Sequence, residues 1–371
     1  MKAPSAGVSP SVLFIDEAVH GHSTLMDSIR LATGETAPIR PTFVRVPAPS
    51  GPTRLLVAQV PGLGDLDLQP VRWRLRYSWR SARLARAADP DVVFVNTQSC
   101  GLLGPRARGA PPWVVSVDIT HRQFARHEVW RRRTRFSPVM ERLSERLERA
   151  AYEAAHRVIA WTEWTAASLK DDYGVPGDRI ETLHCGVDAR RYAALPRPSR
   201  APGEPLRLLF IGNQVQLKGL DVVLEAIDRC DHPAELDVVT FDDVRDGPHH
   251  RVHRGIRQGT DAFDALLARA DAFVFPTRGD AVPWVVLEAM AAGLPVVSTR
   301  VGAIPEMVGD AGLIVERDPD SVARAIGALA ADPDRRAALG RAGRARVAEH
   351  YDAWSQVPRL FSLLEDAARG R

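Results

Sequence analysis

The sequence predicts an α/β protein of two Rossmann-like domains facing each other across a cleft. Three observations support this prediction. Short apolar segments of strand type alternate with helical segments in both halves of the 371-residue chain. Residues 193–206, rich in Pro and polar side chains, separate the halves and are the best candidate for a linker. A strand–helix–strand pattern fills 271–299, as in a βαβ unit with a right-handed crossover.

Buried strands are indicated by short runs of Val, Ile, Leu and Phe. In the first half they lie at 11–16, 91–96, 113–118, 156–162 and 179–184, with helices notably at 138–155 and 164–173. In the second half they lie at 206–212, 235–241, near 251–256, 271–277, 295–299 and 311–317, with helices at about 320–349 and 352–368. We place the N-terminal domain at 1–195 and the C-terminal domain at 206–351, and we expect the helix within 352–371 to cross back to the first.

Composition argues against several classes of protein. A hydrophobic fraction of 45% is ample for two cores. A net charge of +3, without any recognised nucleic-acid-binding motif, does not indicate nucleic-acid binding. No apolar run approaches the roughly 20 residues needed to span a bilayer, and the N-terminus lacks a signal-peptide pattern. Cys100, Cys185 and Cys230 are scattered and odd in number. We therefore expect a cytoplasmic protein with neither a disulfide framework nor a metal site.

The segment 276–297, PTRGDAVPWVVLEAMAAGLPVV, is almost wholly apolar but carries Asp280 and Glu288 eight positions apart. Pro283 suits the first turn of a helix, which would put Glu288 roughly 7.5 Å along it. Parallel sheets bind ligands at the carboxyl ends of their strands, facing helix N-termini. The spacing therefore suits a nucleotide-sugar, with its anion at the helix N-terminus and hydroxyls on either side. The alternative is an N-cap aspartate and a glutamate on a solvated face, and this segment alone does not separate the two.

A second segment, FIGNQVQLKGLDVVLEAI at 210–227, places Gly212 and Lys218 between a strand and a helix. Glycine lets the backbone approach a ligand closely, and a lysine there is well placed for phosphate. Taken alone, this segment is more commonly explained by a surface lysine at a helix start. Taken with 276–297, however, it would lie at the same edge of one sheet, so that a cation joins two carboxylates and a helix N-terminus.

These two segments resemble the retaining, nucleotide-sugar-dependent glycosyltransferases of family 4, which have the GT-B fold. The matching residues are 154–192, 210–227, 270–315 and 332–357. They follow the family's order within 154–357, a stretch of about half of the chain, and the family's acidic pair falls on Asp280 and Glu288. The resemblance implies transfer of a sugar from a nucleoside-diphosphate sugar, with UDP or GDP favoured, to a glycan, lipid-linked or small-molecule acceptor. Two alternatives stay open, a non-catalytic nucleotide- or polyanion-binding partner protein and a GT-B sugar-nucleotide epimerase.

The resemblance also implies a role for each matching residue. Glu288 would hold the ribose hydroxyls, and Asp280 would contact the donor sugar near the reacting carbon. The backbone N–H groups of Ala281 and Val282 would meet the phosphates. Lys218 would neutralise the leaving pyrophosphate, so Lys218 and Asp280 are the predicted catalytic residues.

Other donor-site residues are implied by the same resemblance, with two departures from the family. Gly255 and Ile256 would lie against the base. The first acid of the pair is usually Glu and is Asp280 here. The family usually carries Arg five residues before the lysine, where this chain has Asn213. Arg278 is the candidate to replace that missing cation.

On the acceptor side, the family often has a histidine after the strand that matches 113–118. Asp118 and His121 are the two candidates for that place, and each is equally compatible with an ordinary loop residue. The HGHST turn around Gly21 and His22 would approach the acceptor or the donor phosphate. Its histidines also fit a plain loop.

The first half contains a strongly basic segment. Residues 71–88 carry six arginines and no acid, interleaved with Trp73 and Trp79, and a second Arg-rich stretch includes Arg131, Arg132 and Arg133. A basic helix with aromatic side chains can lie on the anionic inner face of a membrane, which would suit a lipid-linked acceptor. The alternative is a solvated arginine-rich face with the tryptophans packed inward.

Overall fold

A computed structural model describes residues 9–17, 22–33, 37–47, 69–126, 137–197 and 203–370. The chain divides into two compact units. The first consists of Met1–Gly186 with Trp354–Arg371, and the second of Val187–Ala353. The division falls between Gly186 and Val187, ahead of the Pro-rich segment 193–206.

The first unit is built on a six-stranded parallel sheet in the order β2-β1-β3-β4-β5-β6. Its strands are β1 (Ser11–Glu17), β2 (Arg40–Val46), β3 (Val92–Val95), β4 (Trp113–Val117), β5 (Arg157–Ala160) and β6 (Ile180–Thr182). The inner strands β3 and β4 are buried along their whole length, because helices cover both faces of a parallel sheet. This burial explains why they are continuous apolar runs in the sequence.

The second unit has its own six-stranded parallel sheet, in the order β12-β11-β10-β7-β8-β9. Its strands are β7 (Leu206–Ile211), β8 (Ala234–Thr240), β9 (His250–Arg254), β10 (Ala272–Phe275), β11 (Val296–Thr299) and β12 (Gly312–Val315). The order reverses between β7 and β10, which makes this pair the topological switch point of the sheet.

Helices connect the strands in both units. Those of the first unit are α1 (His22–Ala32), α2 (Gln69–Ala88), α3 (Gln98–Gly101), α4 (His121–Arg126), α5 (Ser137–Ala154) and α6 (Glu163–Asp171). Those of the second are α7 (Ala189–Ala193), α8 (Val215–Lys218), α9 (Leu220–Arg229), α10 (Asp261–Arg269), α11 (Trp284–Ala291), α12 (Ile304–Val308), α13 (Pro319–Ala331) and α14 (Pro333–His350). The last helix is α15 (Ala353–Ala368). Among the described helices, none is both long enough and apolar enough to cross a membrane.

Helix α15 packs into the core of the first unit. Its side chains Leu360, Phe361 and Leu364 belong to the same buried cluster as Val12 and Phe14 of β1. The predicted return of the C-terminal helix to the N-terminal half is therefore confirmed. The opposite face of the first sheet carries a separate apolar cluster.

Two elements differ from the predictions. Strand β2, absent from the predicted set, is an edge strand whose sequence RPTFVRV is half-exposed and contains Pro41, which sheet edges tolerate. The stretch 320–349, predicted as one helical region, is two helices. The Asp332 side chain accepts a hydrogen bond from the N–H of Arg335, and Pro333 occupies the first turn of α14, so a new helix begins there.

Candidate functional site

The loops that follow β7 and β10 meet at the carboxyl edge of the second sheet, at its switch point. The N–H of Arg278 donates to the carbonyl of Leu217 at 2.7 Å, which ties the two loops together. Gly219 has φ +83°, and a Cβ there would lie 2.2 Å from the carbonyl oxygen of Pro276. Only glycine permits this close approach. The two segments singled out from the sequence are thus brought together.

Lys218 is held at the centre of this meeting point. Its Nζ donates to the carbonyl of Gly279 at 3.0 Å and to Oδ2 of Asp280 at 2.6 Å. Its stem packs on Gly212, where a Cβ would lie 3.1 Å from Cγ of the lysine. An ammonium group has three N–H donors, so two internal acceptors leave one donor for a ligand.

The loop from Asp280 to the start of α11 presents backbone donors. Within the part of the chain that the structure describes, the N–H groups of Ala281 and Val282 have no hydrogen-bond acceptor. The loop is fixed from the other side, because the N–H of Ala303 donates to the carbonyl of Ala281 at 2.9 Å. Gly302, with φ +55°, lies against the same loop, and a Cβ there would be 2.2 Å from the carbonyl oxygen of Asp280.

Glu288 lies one turn into α11 and is fully buried. Pro283, and not Asp280, is the N-cap residue of the helix. The alternative of an N-cap aspartate and a glutamate on a solvated face is therefore wrong. Oε1 of Glu288 accepts a hydrogen bond from the side-chain amide of Gln258, whereas Oε2 is buried with no partner among the described residues. A buried carboxylate oxygen without a donor is costly, which is typical of a group kept for a ligand.

Burial raises the pKa of Glu288 to about 8, and the negative charge of Asp264 adds to the effect. The phenol of Tyr192 and the positive charge of Arg191, both on α7, act in the opposite direction. Arg191 is itself paired with Asp264 at 2.8 Å. Neither Tyr192 nor Gln258 was predicted, because Tyr192 lies on α7 and Gln258 lies between β9 and α10, both outside the segment 276–297.

This pKa predicts an effect of pH on stability. Between about pH 4.5 and pH 8 the unfolded chain loses the Glu288 proton while the folded chain keeps it, so the free energy of unfolding falls as pH rises. The limiting slope is about 1.4 kcal/mol per pH unit. We expect Glu288→Gln, which cannot titrate, to be more stable than the wild type at pH 8, and the difference to shrink towards pH 5.

Urea unfolding between pH 5 and pH 8 measures this difference. The matched control is Glu225→Gln on α9, whose carboxylate is 55% exposed, and its profile should follow that of the wild type. Parallel profiles for Glu288→Gln and the wild type would show that the buried carboxyl does not hold its proton.

The remaining donor-side residues lie at the same edge of the sheet. Gly255 follows β9 with φ +76° and open space where a Cβ would be, and the half-buried Ile256 comes next. Asn213 follows β7, and its side-chain carbonyl accepts a hydrogen bond from the N–H of Phe241 at 2.9 Å. The side-chain amide of Asn213 therefore binds the backbone just after β8. The arginine that the family usually has at position 213 would instead supply a cation.

Arg278 has partners of its own. Its guanidinium donates to both carboxylate oxygens of Asp221, at 2.7 and 2.6 Å, and also to the carbonyl of Gln216. Such a bidentate pair is among the stronger side-chain interactions. Arg278 thus links its loop to the first turn of α9. To bind phosphate as the predicted replacement cation, Arg278 would have to break its ion pair with Asp221.

On the acceptor side, the structure describes two of the four predicted residues fully. Asp118 is half-buried after β4, and its backbone carbonyl accepts from the hydroxyl of Thr165 at 2.6 Å. His121 begins α4 and is 8% exposed, and its Nε2 has no partner among the described residues. Gly21 lies outside the described residues. His22 is the first residue of α1, but its side chain also lies outside them.

A buried glutamate positions His121. Oε2 of Glu148 on α5 accepts from the N–H of His121 at 3.0 Å and from the hydroxyl of Tyr173 at 2.7 Å, while Oε1 pairs with Arg74. Burial lowers the pKa of His121, against the opposing charge of Glu148. The neutral imidazole is thus favoured. Glu148 escaped prediction, because the buried side of α5 also carries Ser137 and Ser144, so the sequence shows no apolar pattern against which a buried acid stands out.

The doubly wound topology of the two units is that of the GT-B class of glycosyltransferases. Comparisons with known proteins support this class. The model of glycosyltransferase family 4 matches residues 37–191, and that of glycosyl transferases group 1 matches residues 205–332. The chain belongs to this family of glycosyltransferases.

Individual relatives agree with the assignment. The chain is 27% identical to the MMP alpha-(1->4)-mannosyltransferase of Mycolicibacterium hassiacum, over 78% of this chain and 74% of that protein. It is 29% identical to a GDP-mannose-dependent phosphatidylinositol monomannoside mannosyltransferase of Mycolicibacterium smegmatis, over 79% and 81%. Against several other curated relatives it spans 52% to 64% of their length. Its fold matches that of Anabaena HepE in complex with UDP, with a TM-score of 0.69 and 17% identity over 96% and 100% of the chains.

Proposed function

We propose that the chain is a retaining, metal-independent glycosyltransferase that moves a sugar from a nucleoside-diphosphate sugar to an acceptor hydroxyl. The observation that carries the proposal is the convergence at one sheet edge of complementary groups for such a donor. Lys218 and the free N–H groups of Ala281 and Val282 suit the diphosphate. The unpartnered oxygen of Glu288 suits the ribose hydroxyls, and Asp280, beside Lys218, suits the donor sugar.

The reaction breaks the bond between the anomeric carbon and the diphosphate oxygen and forms a bond from that carbon to the acceptor oxygen. The transition state resembles an oxocarbenium ion, and negative charge grows on the departing diphosphate. Lys218 and the N–H groups before α11 stabilise that charge, as donors in an oxyanion hole do. The departing phosphate takes the proton of the acceptor hydroxyl, so the balance requires no separate base. Retention of configuration is inferred from the family.

Two nucleotides are favoured for the donor. HepE was crystallised with UDP, and one mannosyltransferase relative is named for GDP-mannose. We propose that Gly255 and Ile256, which follow β9 at the same edge, lie against the base. On the acceptor side we propose Asp118 or His121, because each follows β4 where the family places its histidine. The acceptor is a glycan, a lipid-linked sugar or a small molecule.

A screen of UDP-, GDP-, ADP- and TDP-sugars for thermal stabilisation tests the donor site. A ligand at 100 times its Kd should stabilise the protein by about 2.7 kcal/mol. We expect one nucleotide family to stabilise the wild type but not Glu288→Ala, while the control Glu225→Ala keeps the effect. Stabilisation without turnover would favour a non-catalytic partner protein, and a nucleotide-linked product would favour an epimerase. The absence of stabilisation by any of them would contradict the donor site.

The basic helix α2 supports a further part of the proposal, peripheral contact of a cytoplasmic enzyme with an anionic membrane. Its Trp79 is 53% exposed, and the guanidinium of Arg83 lies 4.8 Å from the centre of that ring. Trp73 is half-buried, and Arg131, Arg132 and Arg133 lie outside the described residues. An outward tryptophan beside arginine suits a bilayer interface. Sedimentation with phosphatidylglycerol vesicles tests this. Binding that is weakened neither by added salt nor by Arg83→Ser would favour the alternative of a solvated arginine-rich face. The absence of any binding would favour the same alternative.

A further inference from the structure

A cavity of about 280 Å³ opens at the edge of the second sheet opposite the donor site. It lies at the beginnings of β10 and β11 and beside the first turns of α14. Donor ligands of such sheets bind at the carboxyl ends of the strands, so this cavity belongs to a different place in the fold. In the part of the chain that the structure describes, five arginines line it, namely Arg197, Arg269, Arg336, Arg341 and Arg344.

The arginines of this cavity are held mainly by carbonyl oxygens. Arg197 donates to the carbonyls of Ala270 at 2.7 Å and Ala292 at 2.6 Å. Arg344 donates to the same carbonyl of Ala292 at 3.0 Å, so two like charges converge on one acceptor. The Nε of Arg344 is buried without any partner among the described residues.

Acidic counter-charges in the cavity are few. Among the described residues that line the cavity, Asp271 is the single acid, and its carboxylate already accepts from the backbone N–H of Arg207 at 2.8 Å. Arg269 is paired with Asp237, which lies outside the lining. Within the described ranges, Arg197, Arg341 and Arg344 have no ion-pair partner.

We infer that this cavity is a second ligand site of the chain, for a small anion that carries a diphosphate or two phosphate groups. Several guanidinium forks can each bind phosphate oxygens in bidentate fashion. The anion would also supply the counter-charge that the carbonyl partners cannot. The volume lies near the lower limit of small-molecule pockets, which fits a compact ligand. Partial burial and the charge of Arg344 lower the pKa of Arg197 to about 10, as expected where cations crowd together.

Inorganic pyrophosphate is the probe, and calorimetry is the measurement. Because pyrophosphate also suits the donor site, the titration is made in Lys218→Ala, which weakens that site. Arg341 is exposed and makes no hydrogen bond or ion pair with any described residue, so Arg341→Ser should fold. We expect Lys218→Ala to bind pyrophosphate and the added Arg341→Ser to weaken this binding roughly ten- to a hundredfold.

Arg335→Ser is the matched control, because Arg335 is an exposed arginine of the same helix that does not line the cavity. It should leave the affinity unchanged. Lack of binding to Lys218→Ala, or equal weakening by Arg335→Ser and Arg341→Ser, would overturn the inference. A phosphorylated lipid headgroup offers the same chemistry as a soluble diphosphate. If the protein sediments with phosphatidic acid vesicles and Arg341→Ser abolishes this binding, the site is assigned to a lipid headgroup. If the protein binds pyrophosphate but not the vesicles, the site is assigned to a soluble ligand.

Discussion

Replacing Lys218 by alanine should lower kcat by about 10²–10³, equivalent to about 2.7–4 kcal/mol of barrier, if its ammonium acts as one donor to the growing charge of the leaving diphosphate. The charge develops mainly in the transition state, so the loss should fall on kcat more than on KM. The geometry supports this role, since Nζ is fixed by Gly279 and Asp280 and keeps one donor for a ligand. Single-turnover kinetics with the donor found by the nucleotide screen would measure it.

Lys170→Ala is the matched control. Lys170 is an exposed lysine on α6 in the first unit, and its removal changes the net charge of the protein by the same amount. We expect its kinetics to equal those of the wild type. Near-normal turnover by Lys218→Ala would show that the leaving group is stabilised elsewhere, and attention would then move to the Arg278–Asp221 pair.

Replacing Gly302 by alanine should lower kcat/KM by about 10², although the residue has no role in binding the donor. Its Cβ would lie 2.2 Å from the carbonyl oxygen of Asp280 and 2.6 Å from that of Ala281, so the loop must move. That loop carries the N–H groups proposed for the diphosphate. A displacement of about 1 Å in a positioning element can cost this much.

Alanine at a left-handed backbone position also costs about 1–2 kcal/mol in strain, which has to be separated from the displacement of the loop. Gly109→Ala serves this purpose, because Gly109 has φ +72° and a Cβ there would have no atom within 4 Å. We expect it to lower the melting temperature and to leave the kinetics unchanged. Equal kinetic effects of the two substitutions would mean that the loop near Asp280 tolerates movement.

The fold was predictable because its central strands are buried on both faces and are therefore continuous apolar runs. Strand β2 was not, because its sequence RPTFVRV mixes Arg, Pro and Thr with apolar residues and forms no such run. The break before α14 was overlooked, although Asp332 followed by Pro333 is a recognisable helix start.

The candidate site was predictable where its residues follow strands of one sheet. The Asp280–Glu288 spacing and Lys218 both depend on local sequence, and topology then brings them together. Gln258 and Tyr192 were not predictable, because their contact with Glu288 is created only by the packing of segments that are distant in the sequence. The Arg278–Asp221 pair was missed for the same reason.

The return of α15 to the first unit has a consequence for how the protein is made. Phe361 and Leu364 complete a core that begins with Val12, whereas the second unit is one continuous segment, Val187–Ala353. Domains generally fold as units while the ribosome is still adding residues. All residues of the second unit have therefore left the ribosome before α15 is made. The first unit is synthesised earlier, but one apolar face of its sheet stays uncovered until α15 is available. We therefore expect the two units to finish folding in the reverse of the order in which they are translated.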